Sequence, residues 1–139
     1  DFYRVPQWDY NRIKNGGDFV TADGKIIPHS QLTKPATPPR SYAYCCDTEY
    51  NLDMVEQITG VSTLYHDCTY SEADKERAKK HFHSTAAQAA NTAKQAEAGT
   101  LILGHFSARY NNENILLEEA KEIFKNSYLA KENTTFTIE

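Results

Sequence analysis

The chain has 139 residues, of which 40% are hydrophobic and 12% aromatic, enough for one modest core and so for a single domain. Nineteen acidic against fifteen basic side chains leave a formal charge of −4, the wrong sign for a protein that grips nucleic acid over its whole surface, so any such contact is local. Apolar runs such as Leu101 to Leu103 fall far short of the roughly 20 residues of a membrane span, no basic-then-apolar leader opens the chain, and three cysteines, two of them adjacent, make a poor secreted disulfide framework; a soluble cytoplasmic protein with reduced thiols is expected.

Residues 1–40 are dense in turn signals, Asn15-Gly16-Gly17, Asp23-Gly24, Pro28, Pro35, Pro38 and Pro39, and read as an extended lead-in within that domain. Regular pattern begins at Ser41 to Cys46, aromatic and small apolar residues that suit a buried strand, followed by a short helix from Asn51 to Ile58 that Gly60 ends. Val61 to Tyr65 reads as a second strand. Ser71 with Asp74 three residues on offers a capping-box start for a polar helix to about Lys80. The basic stretch Lys75, Arg77, Lys79 and Lys80, broken by Glu76, is then a solvated helix face.

Ser84 can cap the alanine-rich segment Ala86 to Ala98, with Gly99 where a C-terminal glycine belongs. Leu101, Leu103 and His105 share one face of a third strand by alternation. Ile115, Leu116, Ala120, Ile123 and Phe124 mark the stripe of a last amphipathic helix, and Thr134 to Ile138 a short final strand. Strands alternate with helices, without an internal repeat, so the class is α/β.

In open sheets with parallel strands, sites form beyond the carboxyl ends of the strands. Here the first strand runs into Asp47-Thr48, the second into His66-Asp67, and the third into His105, followed by Ser107 and Arg109. A lone Asp at such a position is commonly a turn former, and a lone His a half-buried, hydrogen-bonded residue. Convergence of a carboxylate and two imidazoles is what points to metal or acid chemistry.

Tyr44-Cys45-Cys46-Asp47-Thr48, Leu64-Tyr65-His66-Asp67-Cys68-Thr69-Tyr70, His83-Ser84-Thr85 and Leu101-Ile102-Leu103-Gly104-His105-Phe106-Ser107-Ala108-Arg109-Tyr110 together resemble ribonuclease Z of the metallo-β-lactamase superfamily, in order and spacing, from about Val5 through Tyr110. The resemblance implies the C-terminal half of an αββα sandwich and a zinc endoribonuclease that trims the 3′ end of precursor tRNA. It implies that Asp47 bridges two zinc ions and that His105 is a terminal ligand, both apt donors. It also implies that His66 is the general acid for the leaving 3′ oxygen, with Asp67 standing where the family has Glu. His83, Ser84 and Thr85, with Ser107, Arg109 and Tyr110, look like the phosphate-gripping residues, since a guanidinium matches phosphate oxygens bidentately.

The family's His-x-His-x-Asp-His ligand segment is absent from this sequence: the one His-x-His, His81-Phe82-His83, continues into Ser84-Thr85. With Asp47 and His105 as the carried-over ligands, the chain by itself is expected to hold zinc weakly and to be inactive, as a fragment of a longer enzyme whose N-terminal half is its partner. By resemblance the intact protein is a homodimer. Two other readings are a phosphodiesterase of the same fold acting on a small substrate, and a metal-free interaction domain with a nuclease-like core.

Overall fold

The computed structural model describes residues 3–138. Between Pro39 and Arg40 the chain divides into two compact units. In the first, a 3-10 turn at Gln7–Asp9 leads into helix α1 (Tyr10–Lys14), then come strands β1 (Phe19–Val20) and β2 (Ile26–Ile27), paired antiparallel, and helix α2 (His29–Leu32). The Asp23-Gly24 turn signal closes this hairpin, with Gly24 at φ 81° and Thr21 and Lys25 bonded across the turn. Ile13, Phe19 and Ile27 form a small core, joined by Tyr3, Val5 and Leu32. The expected extended lead-in is therefore folded in pieces, each too short to display a period in sequence.

The second unit carries strand β3 (Tyr42–Cys45), a 3-10 turn Leu52–Met54 running into α3 (Val55–Ile58), strand β4 (Thr63–Asp67), a 3-10 turn Glu72–Asp74 running into α4 (Lys75–Lys80), then α5 (Ala86–Gln95), β5 (Thr100–Gly104), α6 (Asn114–Ile123) and β6 (Ser127–Leu129). The four strands pair in parallel in the order β3-β4-β5-β6. This is the α/β arrangement expected, with one difference at its end. The fourth strand is Ser127–Leu129, whereas Thr134 to Ile138 is irregular; three residues are too few for alternation to be visible.

Alternation assigns the two faces of the sheet. Ala43, Cys45, Leu64, Leu101, Leu103 and Leu129 belong to the core shared with α5 and α6. Each of Leu64, Leu101, Leu103 and Leu116 is fully buried, a contribution of roughly 1.5–3 kcal/mol apiece. Ala86, Ala89, Ala90 and Ala93 are completely buried as well, a stripe at i, i+3, i+4 and i+7 of the smallest side chain, which lets α5 approach closely. The opposite face carries Tyr42, Tyr44, Tyr65, Ile102 and Tyr128, with Phe136 and Ile138 lining a cavity against Tyr42, Tyr65 and Ile102.

The helix starts differ in detail from the sequence reading. Thr85, not Ser84, caps α5: its hydroxyl accepts from Gln88 N at 3.2 Å while Gln88 Oε1 accepts from Thr85 N at 2.9 Å. Ser71 makes no side-chain cap at the turn that precedes α4. Among the described residues, no helix is long and apolar enough to cross a membrane.

Candidate metal centre

The parallel register sets neighbouring strand ends side by side: Cys45 lies opposite His66, and Asp67 opposite Gly104. Just past these ends the backbone turns through the left-handed region, Asp47 at φ 53° and His105 at φ 63°. Both are residue types whose polar side chains appear there more often than most. His83 arrives from the turn after α4, where Phe82 has φ 59° and His83 N donates to Ala78 O at 2.9 Å. Asp47, Asp67, His83 and His105 thereby offer donor atoms that all lie within 4.8 Å of one another.

Asp67 is the hub. It is fully buried, and its Oδ1 accepts from Thr69 N at 3.0 Å, Thr69 Oγ1 at 2.9 Å and Ser84 N at 3.2 Å. Its Oδ2 accepts from Thr48 N at 3.3 Å and faces His83 Nδ1 at 3.0 Å and His105 Nδ1 at 3.2 Å. A buried carboxylate is tolerable only when paired and hydrogen-bonded, and this one is. Where a ring Nδ1 donates to this carboxylate, its Nε2 is left for a proton or a metal; Thr69 Oγ1, 3.0 Å from His105 Nδ1, is a second partner of that ring. Metal-ligating histidines are held in this way, with the second nitrogen donating to a carboxylate.

The four residues differ in access. The side chains of Asp47 and His105 are 74% and 41% exposed, that of His83 only 18%. The two rings lie 5.1 Å apart between centroids, and His83 Nδ1 is 3.5 Å from Asp47 Oδ1. Asp47 and His105 offer a carboxylate oxygen and an imidazole nitrogen, donor types that suit zinc, while the Asp67 oxygens are taken up by the donors around them.

His66 does not join this group. Alternation turns it to the helix side of the sheet with Leu64, it is fully buried, and Nδ1 lies 2.9 Å from Asp67 O. Burial holds its imidazole below the ordinary range, against the opposing pull of Asp67, and Nε2 has no hydrogen-bond partner. The imidazole expected to serve as general acid thus lies in the core, apart from the donor group. The pairing that sequence reasoning missed is Asp67 with His83, sixteen residues apart, for which the His-Ser-Thr segment was the available signal.

The remaining candidates separate into committed and available groups. Ser84 and Thr85 are fully buried; Ser84 Oγ donates to Thr48 O at 2.8 Å, and Thr85 Oγ1 donates to Glu72 Oε2 at 2.7 Å. Both hydroxyls serve the fold. Tyr110 Oη donates to Asp74 Oδ2 at 2.7 Å and accepts from Ser71 N at 2.9 Å, so it too is engaged. Arg109 is reachable: its Nε donates to Ser107 Oγ at 3.3 Å, Nη1 lies 3.5 Å from Asp74 Oδ1, and the guanidinium sits 5.3 Å over the Tyr70 ring.

No protein-family model matches the sequence. Among curated proteins, the ribonuclease Z of Bacteroides fragilis (strain YCH46) is 51% identical over 138 residues, 99% of this chain and 45% of that protein. The ribonuclease Z of Bacteroides thetaiotaomicron is 52% identical over 138 residues, 99% of this chain and 44% of that protein. The chain thus spans somewhat under half the length of the curated relatives it matches. Among solved structures, the metallo-β-lactamase fold protein YhfI from Bacillus subtilis aligns with a TM-score of 0.59 at 25% identity, covering 63% of this chain and 36% of that one. Over its whole length the chain is similar to ribonuclease Z, as the C-terminal part of it, and the fold neighbour is a metallo-β-lactamase fold protein.

Proposed function

We propose that the protein carrying this chain is a zinc-dependent endoribonuclease that removes the 3′ trailer from precursor tRNA by phosphodiester hydrolysis. The observation that carries this reading is the buried Asp67 carboxylate facing Nδ1 of both His83 and His105, within a chain 51% identical to a ribonuclease Z. Asp47 and His105 would hold metal, with further ligands from residues outside this chain. The chemistry a zinc ion would supply there is Lewis acidity toward water and the phosphate oxygens.

This chain's own residues do the rest. His83, oriented by Asp67, holds a proton on Nε2 for the departing 3′ oxygen of the tRNA, the role that the sequence resemblance attached to His66. Asp67, one methylene shorter than Glu, reaches both rings because Thr69, Ser84 and Thr48 fix its two oxygens. Arg109, with Ser107, grips the substrate phosphate. The two units belong to one catalytic domain of a longer, homodimeric protein, and the free thiols of Cys45, Cys46 and Cys68 support a reducing, cytoplasmic setting.

The test is zinc content and cleavage measured on the full-length protein, with precursor tRNA and a small chromogenic phosphodiester as parallel substrates, and on this chain alone. Zinc with 3′ cleavage of precursor tRNA in the full-length protein, and neither in the chain alone, is the expected result. Turnover of the diester without tRNA cleavage would assign a small-substrate phosphodiesterase instead. Absence of zinc and of both activities would leave an interaction domain.

A further inference from the structure

Tyr65 occupies the middle of β4, on the sheet face away from α5 and α6. Its ring leans along the strand toward the carboxyl end, where the candidate metal centre is. A Cβ built on Gly104 would fall 1.9 Å from Tyr65 Oη and 2.3 Å from Cζ. The phenol therefore lies on the bare Cα of Gly104, in the space any other residue would need. On its other side the ring stacks on Tyr44, with centroids 4.7 Å apart and planes at 22°.

Tyr44 lies on β3, three residues before Asp47, and Gly104 immediately precedes His105, and Asp47 and His105 are the two exposed members of the donor group. Asp47 and His105 both adopt positive φ, a conformation that non-glycine residues keep only where their surroundings over-determine it. One side chain thus packs on both neighbouring strands, on Tyr44 of β3 and Gly104 of β5, shortly before each of these turns.

We infer that Tyr65 is a positioning residue of the metal centre: its phenol, packed on Tyr44 and on Gly104, backs the turns that follow β3 and β5, and with them the placement of Asp47 and His105. Gly104 is glycine because the phenol fills its side-chain space. The inference rests on the reading that Asp47 and His105 hold metal. A first shell must be held within about 0.5 Å of the productive geometry, which loose strand ends do not ensure.

The experiment uses the full-length protein and its Tyr65→Leu, Tyr65→Phe and Gly104→Ala variants, with the Tyr65→Leu/Gly104→Ala double variant. Zinc affinity is measured by chelator competition, and the thermal midpoint on metal-free protein. Tyr65→Leu and Gly104→Ala should each weaken zinc binding by about tenfold or more, as loss of outer-shell support does. Tyr65→Phe, which keeps the ring, should stay closer to the unsubstituted protein than either. The double variant should lose less than the product of the single losses, because the collision is gone.

A merely structural role would lower the midpoint and leave the zinc affinity of the folded protein unchanged; that result overturns the inference. Should Tyr65→Leu fail to fold, Gly104→Ala decides, and unaltered zinc affinity in it again overturns the inference. An unsubstituted protein that binds no zinc brings down the metal reading and this inference together. One that binds zinc and cleaves tRNA while its variants bind equally well removes only the positioning role.

Discussion

Tyr110 Oη donates to Asp74 Oδ2 at 2.7 Å, and this bond ties the segment after β5 to the turn before α4. Arg109 shares the same carboxylate through Nη1 at 3.5 Å. Asp74 thus restrains two consecutive residues of the Ser-Ala-Arg-Tyr segment at once. Tyr110→Phe should cost about 1–2 kcal/mol of stability, the worth of hydrogen bonds to a charged group and a backbone N–H. Asp74→Asn should in addition raise KM for precursor tRNA, since Arg109 loses its partner, with a smaller effect on kcat. Denaturant titration and steady-state kinetics on the full-length protein check both, and an unchanged midpoint in Tyr110→Phe would show the bond to be idle.

Removing the hub charge is a harsher change. Asp67→Asn places an amide where the carboxylate accepts from Thr69 N, Ser84 N and Thr48 N and faces Thr69 Oγ1 and the two Nδ1 atoms. Leaving a buried donor without its acceptor costs about 1–3 kcal/mol, and an amide here leaves more than one. We expect a loss of that order in stability together with a large drop in cleavage, whereas Asp67→Glu should retain more of both. If Asp67→Asn unfolds at the same denaturant concentration as the parent, the carboxylate does not hold these loops together.

How much of this was legible in sequence depends on range. The strand and helix order of the second unit follows from short apolar runs and from the Ala86–Ala98 composition, and the positions of Asp47 and His105 beyond strand ends follow from the parallel α/β pattern. The Asp67–His83 contact was not legible, because sixteen residues and a whole helix separate the pair and only folding sets them 3.0 Å apart. His66 misled for a related reason. Its neighbour Asp67 points to the site, so alternation along β4 must send His66 the other way, into the core. Three-residue β6 and the hairpin of the first unit left no period to read.

Acid should weaken the tie between α5 and the turn before α4. Burial by itself would raise the Glu72 carboxyl, but bonds from Lys75 Nζ and Thr85 Oγ1 outweigh it and hold the group below its ordinary value of 4.5. A carboxylate depressed in the folded state contributes stability above its unfolded value, and that contribution disappears as pH falls through the folded one. Glu72→Gln should therefore lose a little stability near neutral pH and show a shallower decline below about 4.5. Thermal midpoints from pH 3 to 7 would test this, and parallel curves for variant and parent would count against it.

His66 and His83 can be told apart by where each substitution does its damage. His66 is enclosed in the core beside Leu64, its Nδ1 on the carbonyl of Asp67, so His66→Ala opens a cavity and frees a buried carbonyl. That should cost about 2 kcal/mol or more of stability, with kcat of the protein that remains folded reduced only modestly. His83 is partly exposed and its ring meets the site through Asp67. His83→Asn should keep most of the stability and lose roughly 10²–10⁴-fold in kcat, the range for a positioned acid or base. Cleavage rates normalised to folded protein, set beside denaturation curves for the two variants, separate the roles. The reverse pattern, a stable His66→Ala without activity and an active His83→Asn, would return the proton to His66 and require β4 to present its core face to the substrate.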